Sequence, residues 1–126
     1  MVVGRLESQG VKTTVLKVSH AFHSRMMDPI LEEFRAVAES VDFKPPKKIL
    51  ISNITGKPWD DAQLSADYWV DHLRGTVRFA DGIAYAQSKK FQTFVEIGPK
   101  PTLLGLGRAS VPPEFGTWLP CFSPGS

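Results

Sequence analysis

The sequence predicts an α/β fold in which short strands alternate with amphipathic helices. Three observations support this prediction. Apolar residues recur at helical spacing in residues 29–41, and an unalternating apolar run at 48–52 has the length of a strand covered on both faces. A second strand-like run at 91–97 lies between two further helical segments. Short loops rich in glycine and proline join these segments, which is typical of layered α/β domains.

The first third of the chain is predicted to contain a helix, a strand and a second helix. The first helix covers residues 2–10 and is closed by Gly10, and a strand rich in β-branched residues covers 11–18. Asp28 is expected to cap the second helix, with Pro29 at its first position. This helix should bury one stripe of apolar residues, which are Ile30, Leu31, Phe34, Val37, Ala38 and Val41.

The remainder of the chain is predicted to form three helices and one more strand. Ser65 should cap a helix that ends before Gly75. The segments are a helix at 66–73, a helix at 79–89, a strand at 91–97 and a helix at 102–108. The helix at 79–89 is expected to face inward through Phe79, Ile83, Ala84 and Ala86. Proline and glycine dominate from residue 111, which predicts an extended or frayed tail.

Composition excludes several classes of protein. Hydrophobic residues make up 42% and charged residues 22% of the 126 positions, which argues against disorder. The formal net charge is +2 and the basic residues are scattered, so no nucleic-acid partner is expected. Cys121 is the single cysteine, which excludes an internal disulfide. No apolar run reaches the roughly 20 residues of a membrane span, so we expect a cytoplasmic protein with no membrane partner.

A loop containing two histidines, His20 and His23, is the strongest candidate for a functional site. It lies between the predicted strand and the second helix, and loops on a rigid scaffold carry most acid–base chemistry. The spacing of the two histidines also occurs in metal sites, and Asp28 and His72 are conceivable further ligands of a zinc ion. No cysteine pair or His-Glu-x-x-His pattern supports zinc, so no metal is expected. The simplest alternative is a pair of loop histidines satisfied by backbone groups.

Five blocks of sequence resemble the acyltransferase domain of modular polyketide synthases. They occur in the order of that family, at about its spacing, and cover the chain from residue 6 to 106. The blocks are Ser19-His20-Ala21-Phe22-His23-Ser24 with Met27-Asp28-Pro29, Ile51-Ser52-Asn53-Ile54-Thr55-Gly56, Tyr68-Trp69-Val70-Asp71-His72-Leu73-Arg74, Val77-Arg78-Phe79-Ala80-Asp81-Gly82 and Val95-Glu96-Ile97-Gly98-Pro99-Lys100-Pro101. The resemblance implies an α/β-hydrolase-like core with an inserted ferredoxin-like subdomain.

The resemblance also implies an activity and a division of the chain. Residues 1–18 would end the small subdomain, 19–110 would be the C-terminal part of the core, and 111–126 would be an extended tail or post-domain linker. The family transfers a malonyl group from malonyl-CoA to the phosphopantetheine thiol of an acyl carrier protein, with no bound cofactor. Coenzyme A enters only as the thioester substrate.

Roles for individual residues follow from the same resemblance. His23 matches the family's catalytic histidine, a general base that deprotonates a serine and then protonates the departing thiol. The backbone carbonyl of His72 would orient the His23 ring, and Asn53 is a second candidate for that task. The side chain of His72 is interpreted as a surface group or a support behind the site.

Phe22 and His20 carry a prediction about substrate. A His-Ala-Phe-His motif is similar to that of malonyl-selecting domains, whereas methylmalonyl-selecting ones have Tyr-Ala-Ser-His. The bulky Phe22 would leave no room for an α-methyl branch, although one methyl group discriminates by only ~1–3 kcal/mol. Arg25 and Met26 depart from the usual Pro-Leu of the family.

The serine nucleophile of the family is missing from this sequence. No Gly-x-Ser-x-Gly motif occurs among the 126 residues, so we expect the isolated chain to be inactive. An N-terminal half of the acyltransferase domain would be its partner. Apolar residues at 49–51 and 95–97 would otherwise lack cover, which favours self-association. The alternative is a catalytically silent fragment that acts as a structural or carrier-protein docking module.

Overall fold

A computed structural model describes residues 2–15, 18–60 and 63–122 of the chain. Within these ranges it contains five α-helices, one 3₁₀ helix and one two-stranded parallel sheet. The elements in chain order are α1 (Val2–Ser8), the 3₁₀ helix (Arg25–Ile30), α2 (Leu31–Glu39), α3 (Ala66–Arg74), α4 (Phe79–Ser88), β1 (Thr93–Glu96), α5 (Leu103–Ala109) and β2 (Thr117–Pro120). The predicted α/β fold class is confirmed.

Helices α2 and α3 and the 3₁₀ helix pack together on one side of the molecule. Met27 of the 3₁₀ helix and Ala38 of α2 are buried, and so are Tyr68 and Val70 of α3. Ser65 caps α3 as predicted, since its hydroxyl accepts a hydrogen bond from the backbone N–H of Tyr68. Helices this short are marginally stable by themselves, so the packing of their buried apolar faces stabilises them.

The start of α2 differs from the prediction. Asp28 does not cap an α-helix, because residues 25–30 form the 3₁₀ helix and α2 begins at Leu31. Ser24 caps the 3₁₀ helix by accepting a hydrogen bond from Met26 N–H at 3.2 Å. The carboxylate of Asp28 is engaged instead by Arg74 of α3.

The predicted apolar stripe of α2 is only partly buried. Ala38 is buried and Leu31 and Phe34 are half-buried, whereas the other three residues are exposed: Ile30, Val37 (63%) and Val41. Helical periodicity predicts which residues share a face, but burial requires a neighbouring element along the whole of that face. Among the described residues, no element covers this part of α2.

The other side of the molecule is built from β1, β2, α4 and α5. The strands pair in parallel register from Thr93 opposite Thr117 to Glu96 opposite Pro120. Trp118 of β2 is buried and stacks on Phe94 of β1, with ring centroids 4.1 Å apart. Gly107 of α5 also lies against the indole, where a Cβ atom would stand 2.8 Å from Cη2 of Trp118. The absence of a side chain at this glycine lets α5 approach the sheet.

Glu96 joins the end of β1 to the start of α5. Its carboxylate accepts hydrogen bonds from the backbone N–H groups of Thr102, Leu103 and Leu104, at 2.9 to 3.0 Å. These amides at the N-terminus of a helix have no intrahelical acceptor. The amide of Leu103, followed by those of Leu104 and Thr102, lowers the pKa of Glu96. A side chain that was predicted only as part of a strand therefore caps a helix.

Two predicted strands do not form as expected. Residues 11–15 and 18 have no regular secondary structure, and the rest of that predicted strand lies outside the described residues. The apolar run at 48–52 makes one isolated bridge, between Ile51 and Pro58. Ser52 and Leu50 of this run hydrogen-bond to Lys57 and Trp59 across a turn, which gives a local bridge and not a strand of the sheet. No described segment pairs as a strand with residues 11–15.

The final third of the chain matches the prediction in part. The tail predicted from residue 111 to be extended or frayed contains the extended strand β2, which pairs with β1 and supplies the buried Trp118. Ala84, predicted to face inward, is exposed, whereas Ala86 is buried. Val95 (53%) and Ile97 (85%) are exposed, as expected for this apolar run.

No helix within the described ranges is long and apolar enough to cross a membrane.

The close contact between Gly107 and Trp118 predicts a position-specific effect of alanine. Gly107→Ala should destabilise the protein by ~1–3 kcal/mol, because the new methyl group must displace a packed indole ring. Gly105→Ala is the matched control in the same helix, since nothing lies within 4 Å of its Cβ position. That control should be neutral or stabilising by up to ~1 kcal/mol. Urea unfolding measures both, and equal stabilities would contradict the packing described for Trp118.

Candidate active site

His23 has an unusual backbone conformation. Its φ angle is +61°, in the left-handed region that residues other than glycine adopt infrequently. The backbone N–H of His23 donates a hydrogen bond to the carbonyl of Leu73, at 3.0 Å. This contact with the end of α3 helps to hold the strained residue in place, and backbone strain of this kind is concentrated at functional sites.

The side chain of His23 binds the same end of α3. Its Nδ1 atom lies 2.8 Å from the carbonyl oxygen of His72 and 3.1 Å from that of Gly75. A carbonyl oxygen can only accept a hydrogen bond, so Nδ1 carries the proton. In the neutral ring, Nε2 is then the atom with the free electron pair. The arrangement defines one tautomer, in which Nε2 is the base.

The end of α3 can accept these bonds because of how the helix stops. The last four carbonyl groups of an α-helix lack intrahelical donors. Helix α3 ends at Gly75, whose N–H donates to the carbonyl of Asp71 at 2.6 Å. A Cβ atom on Gly75 would stand 2.8 Å from that same oxygen, so the turn requires glycine. The negative end of the helix dipole also stabilises a positive charge on the His23 ring when it takes up a proton.

Polar contacts on both sides of His23 shape its loop. The hydroxyl of Ser24 donates to the carbonyl of Ala21 at 2.6 Å and also caps the 3₁₀ helix. Asp28, four residues further on, forms an ion pair with Arg74 of α3. The loop is therefore held at its turn and at the helix that follows it.

Asn53 and the side chain of His72 lie behind His23. The amide nitrogen of Asn53 is 3.3 Å from Nε2 of His72. The imidazole rings of His72 and His23 meet edge to face, with centroids 5.4 Å apart. The structure thus brings together all three residues that the sequence singled out for acid–base chemistry, and Asn53 contacts the side chain of His72 rather than His23.

The electrostatic environment favours a neutral His72. Burial of its ring, followed by the charge of the neighbouring His23, lowers the pKa of His72 from the ordinary value of 6.5. An unprotonated Nε2 is also what the contact with Asn53 requires, since an amide nitrogen can only donate.

The two residues predicted to select the substrate are neighbours in the same loop. The rings of His20 and Phe22 meet edge to face, with centroids 6.0 Å apart. His20 lines an open groove of about 260 Å³ together with Val18, Ser19, Ala21, Met26 and Met27. Phe22 is 51% exposed beside this groove. An apolar wall of this kind suits a small acyl group.

The described residues contain no group of three or more histidine, cysteine or carboxylate side chains that could hold a metal ion. Of the four residues weighed for zinc, His20 contacts Ser19, and Asp28 pairs with Arg74.

No described residue hydrogen-bonds to Nε2 of His23. The nearby serine hydroxyls have other partners: Ser19 contacts Nδ1 of His20, and Ser24 contacts Ala21. The described part of the chain therefore supplies a base that is oriented on one side and open on the other. It supplies no serine hydroxyl in contact with that base.

Comparison with known proteins identifies the family. The sequence model of the acyl transferase domain family matches residues 1–112. The chain belongs to the acyl transferase domain family. Among curated relatives of this acyltransferase chain, the polyketide synthase GfsB of Streptomyces halstedii is 49% identical over 106 residues. The match covers 83% of the chain and 2% of that synthase, so the chain spans a small part of the relative's length.

Solved structures give the same result. The acyltransferase domain from the second module of the salinomycin polyketide synthase is 39% identical, with a TM-score of 0.90 over 99% of this chain and 29% of that one. The acyltransferase domain of SpnD, solved with 2-(pent-4-yn-1-yl)malonyl, is 38% identical, with a TM-score of 0.86. That match covers 94% of this chain and 29% of the SpnD chain.

Two contacts around His23 were not predicted from the sequence. Gly75 was predicted only to end a helix, yet its carbonyl is a second acceptor for His23. Arg74 lies in a block that matches the family, but no sequence signal paired it with Asp28, 46 residues away. The glycine at the end of α3 is the one signal that indicated free carbonyls at this point.

The lowered pKa of His72 predicts a dependence of stability on pH. The unfolded chain protonates this group below about 6.5, whereas the folded chain resists protonation until a lower pH. His72 thus stabilises the fold fully above that value, and this contribution decreases as the pH falls through it. The unfolding free energy of the wild type should therefore fall more between about pH 7.5 and 5.5 than that of His72→Gln. Urea unfolding at several pH values measures this, and parallel curves would contradict it.

Proposed function

We propose that this chain contributes the histidine base of an acyltransferase that moves a malonyl group from malonyl-CoA to the phosphopantetheine thiol of an acyl carrier protein. The observation that carries the proposal is the geometry of His23, whose Nδ1–H is bound by two carbonyls while Nε2 makes no hydrogen bond with a described residue. A ring held in this way is prepared to take a proton at Nε2.

The first half of the reaction loads the acyl group. Nε2 of His23 takes the proton of a serine hydroxyl as the serine oxygen bonds to the thioester carbon. The carbon–sulfur bond then breaks, and the imidazolium returns its proton to the leaving coenzyme A thiolate. The carbonyls of His72 and Gly75 stabilise the positive charge that the ring carries between these two steps.

The second half of the reaction repeats these steps with another thiol. The phosphopantetheine thiol of the carrier protein gives its proton to Nε2 of His23 and attacks the acyl-serine ester. The carbon–oxygen bond breaks, and the serine oxygen takes the proton back from the ring. The serine comes from a companion segment, the N-terminal half of the acyltransferase domain, because the sequence contains no Gly-x-Ser-x-Gly elbow.

Malonyl-CoA is the proposed donor because of the loop at His20 and Phe22. Phe22 lies beside the groove lined by His20, where its ring would oppose an α-methyl branch. The acyltransferase domain of SpnD was solved with a 2-substituted malonyl group, which supports malonyl groups as the chemical class.

Reconstitution tests the role of His23. The chain mixed with a companion segment that carries the serine should load radiolabelled malonyl groups, whereas each segment alone should not. His23→Ala should lower the loading rate by ~10²–10⁴, the usual contribution of a general base. Glu114→Ala, an exposed change in the loop before β2, is the control. Absence of loading from a folded pair would favour the docking module, and full loading by His23→Ala would exclude the proposed base.

Substitution of Phe22 tests the choice of substrate. Phe22→Ser should shift the ratio of malonyl to methylmalonyl loading toward methylmalonyl by ~10–200-fold, the range expected for one methyl group in an apolar pocket. Phe91→Ser, a change of the same kind at an exposed position, should leave the ratio unchanged. Competition between the two thioesters in one reaction measures the ratio, and an unaltered ratio in Phe22→Ser would contradict the steric account.

A further inference from the structure

The imidazole of His72 contacts four side chains at once. Its ring meets His23 edge to face at 5.4 Å, lies parallel to Tyr68 at 6.2 Å, and meets Trp69 edge to face at 6.0 Å. Its Nε2 atom accepts a hydrogen bond from the amide of Asn53. The His72 side chain thus lies between the His23 ring and a group of fixed residues.

Asn53 is itself anchored. Its backbone carbonyl accepts a hydrogen bond from Arg78 N–H at 2.7 Å, which ties it to the first residues of α4. The hydrogen bond to His72 therefore connects the last turn of α3 with the start of the next helix.

Tyr68 is fixed by burial and by one hydrogen bond. Its hydroxyl donates to the hydroxyl of Ser52 at 3.1 Å, and Ser52 is almost completely buried. Ser52 in turn accepts from the backbone N–H groups of Ile54 and Thr55. The surface on which the His72 ring lies cannot move without disrupting this buried network.

The backbone carbonyls alone do not prevent rotation of the His23 ring. The single Nδ1–H is shared between two carbonyl oxygens, and rotation about the Cβ–Cγ bond would break both hydrogen bonds and redirect Nε2, so the ring needs a second contact that opposes this rotation. Acid–base catalysis depends on that direction, because the reacting proton must lie on the line between donor and acceptor. The edge-to-face contact with His72 supplies this second contact.

We propose that the imidazole of His72, held by the Asn53 amide and supported by Tyr68, is a positioning residue that sets the orientation of the His23 ring. This inference rests on the proposed role of His23 as the base. It assigns to the His72 side chain a task separate from that of its backbone carbonyl.

Charged groups near this site are engaged with one another. Arg74 pairs with Asp28, and Arg78 pairs with Asp81. Asp71, next to His72 in sequence, is exposed. Besides burial, His23 is the group that lowers the pKa of His72. The neutral ring can therefore keep accepting the hydrogen bond from Asn53.

The test is nitrogen NMR of the histidine side chains in the full 126-residue chain, labelled at histidine. The nitrogen shifts, recorded at about pH 8, show which ring atom carries the proton. In the wild type, His23 should be almost entirely protonated at Nδ1. A ring free to rotate breaks its bonds to the carbonyls, so loss of orientation appears as a mixture of the two tautomers.

Two variants distinguish the contribution of the His72 imidazole from that of the His72 backbone carbonyl. His72→Phe keeps an aromatic ring and the carbonyl but removes the acceptor for Asn53. Asn53→Ala removes the donor and keeps the backbone bond to Arg78. Both should convert His23 to a mixture of tautomers, and the double variant should add nothing, since the two changes break one interaction. Asp71→Ala, at the exposed neighbouring position, is the control and should match the wild type.

Retention of the wild-type tautomer in His72→Phe would overturn the proposal, as would its retention in Asn53→Ala. If His72→Phe does not fold, as judged by circular dichroism, Asn53→Ala decides by itself. The measurement needs no serine and no acyl substrate. A failure of acyl loading in the reconstituted domain is therefore distinct from a failure of this inference.

Discussion

The unpaired carbonyl groups at the end of α3 are the feature on which the site depends. A helix that ends at Gly75 leaves backbone acceptors without intrahelical donors, and His23 uses three of them, through its backbone N–H and its Nδ1 atom. These contacts hold a residue with a positive φ angle in place, fix its tautomer and leave Nε2 open. An orienting carboxylate is unnecessary in this arrangement, because carbonyl oxygens provide the negative end of the dipole without a charge that would need burial.

The position of α3 is determined in turn by the residues behind it. The buried hydroxyl pair of Tyr68 and Ser52 joins the helix to the loop at 52–55. The Asn53 carbonyl then connects that loop to α4. The base is thus linked through hydrogen bonds and aromatic contacts to α3, to the loop at 52–55 and to the start of α4. Such a network is expected to be more rigid than the exposed loop that carries His23.

The sheet side of the molecule is stabilised by different kinds of contact. Apolar packing around Trp118 and the cap that Glu96 provides for α5 hold together four short elements. The site residues lie on the helical side, and a Cβ atom on Gly82 of α4 would stand 3.3 Å from Cγ2 of Ile51 where the two sides meet. Exposed apolar residues such as Val95 and Ile97 lie on the sheet side, so the surface available to a companion segment differs from the surface that orients His23.

Local sequence signals predicted the α-helices, the fold class and the blocks that identify the family, because periodicity, caps and glycine breaks are encoded by neighbouring residues. It also singled out His23, His72 and Asn53 through the resemblance, and their roles remain predictions. Which strands form depends on tertiary contacts, since pairing needs a partner elsewhere in the chain: β2 was not predicted, and neither the described residues of the run at 11–18 nor the run at 48–52 form a strand of the sheet. The second acceptor at Gly75, the cap at Glu96 and the ion pair of Asp28 with Arg74 likewise depend on groups distant in sequence, whose meeting no local pattern records.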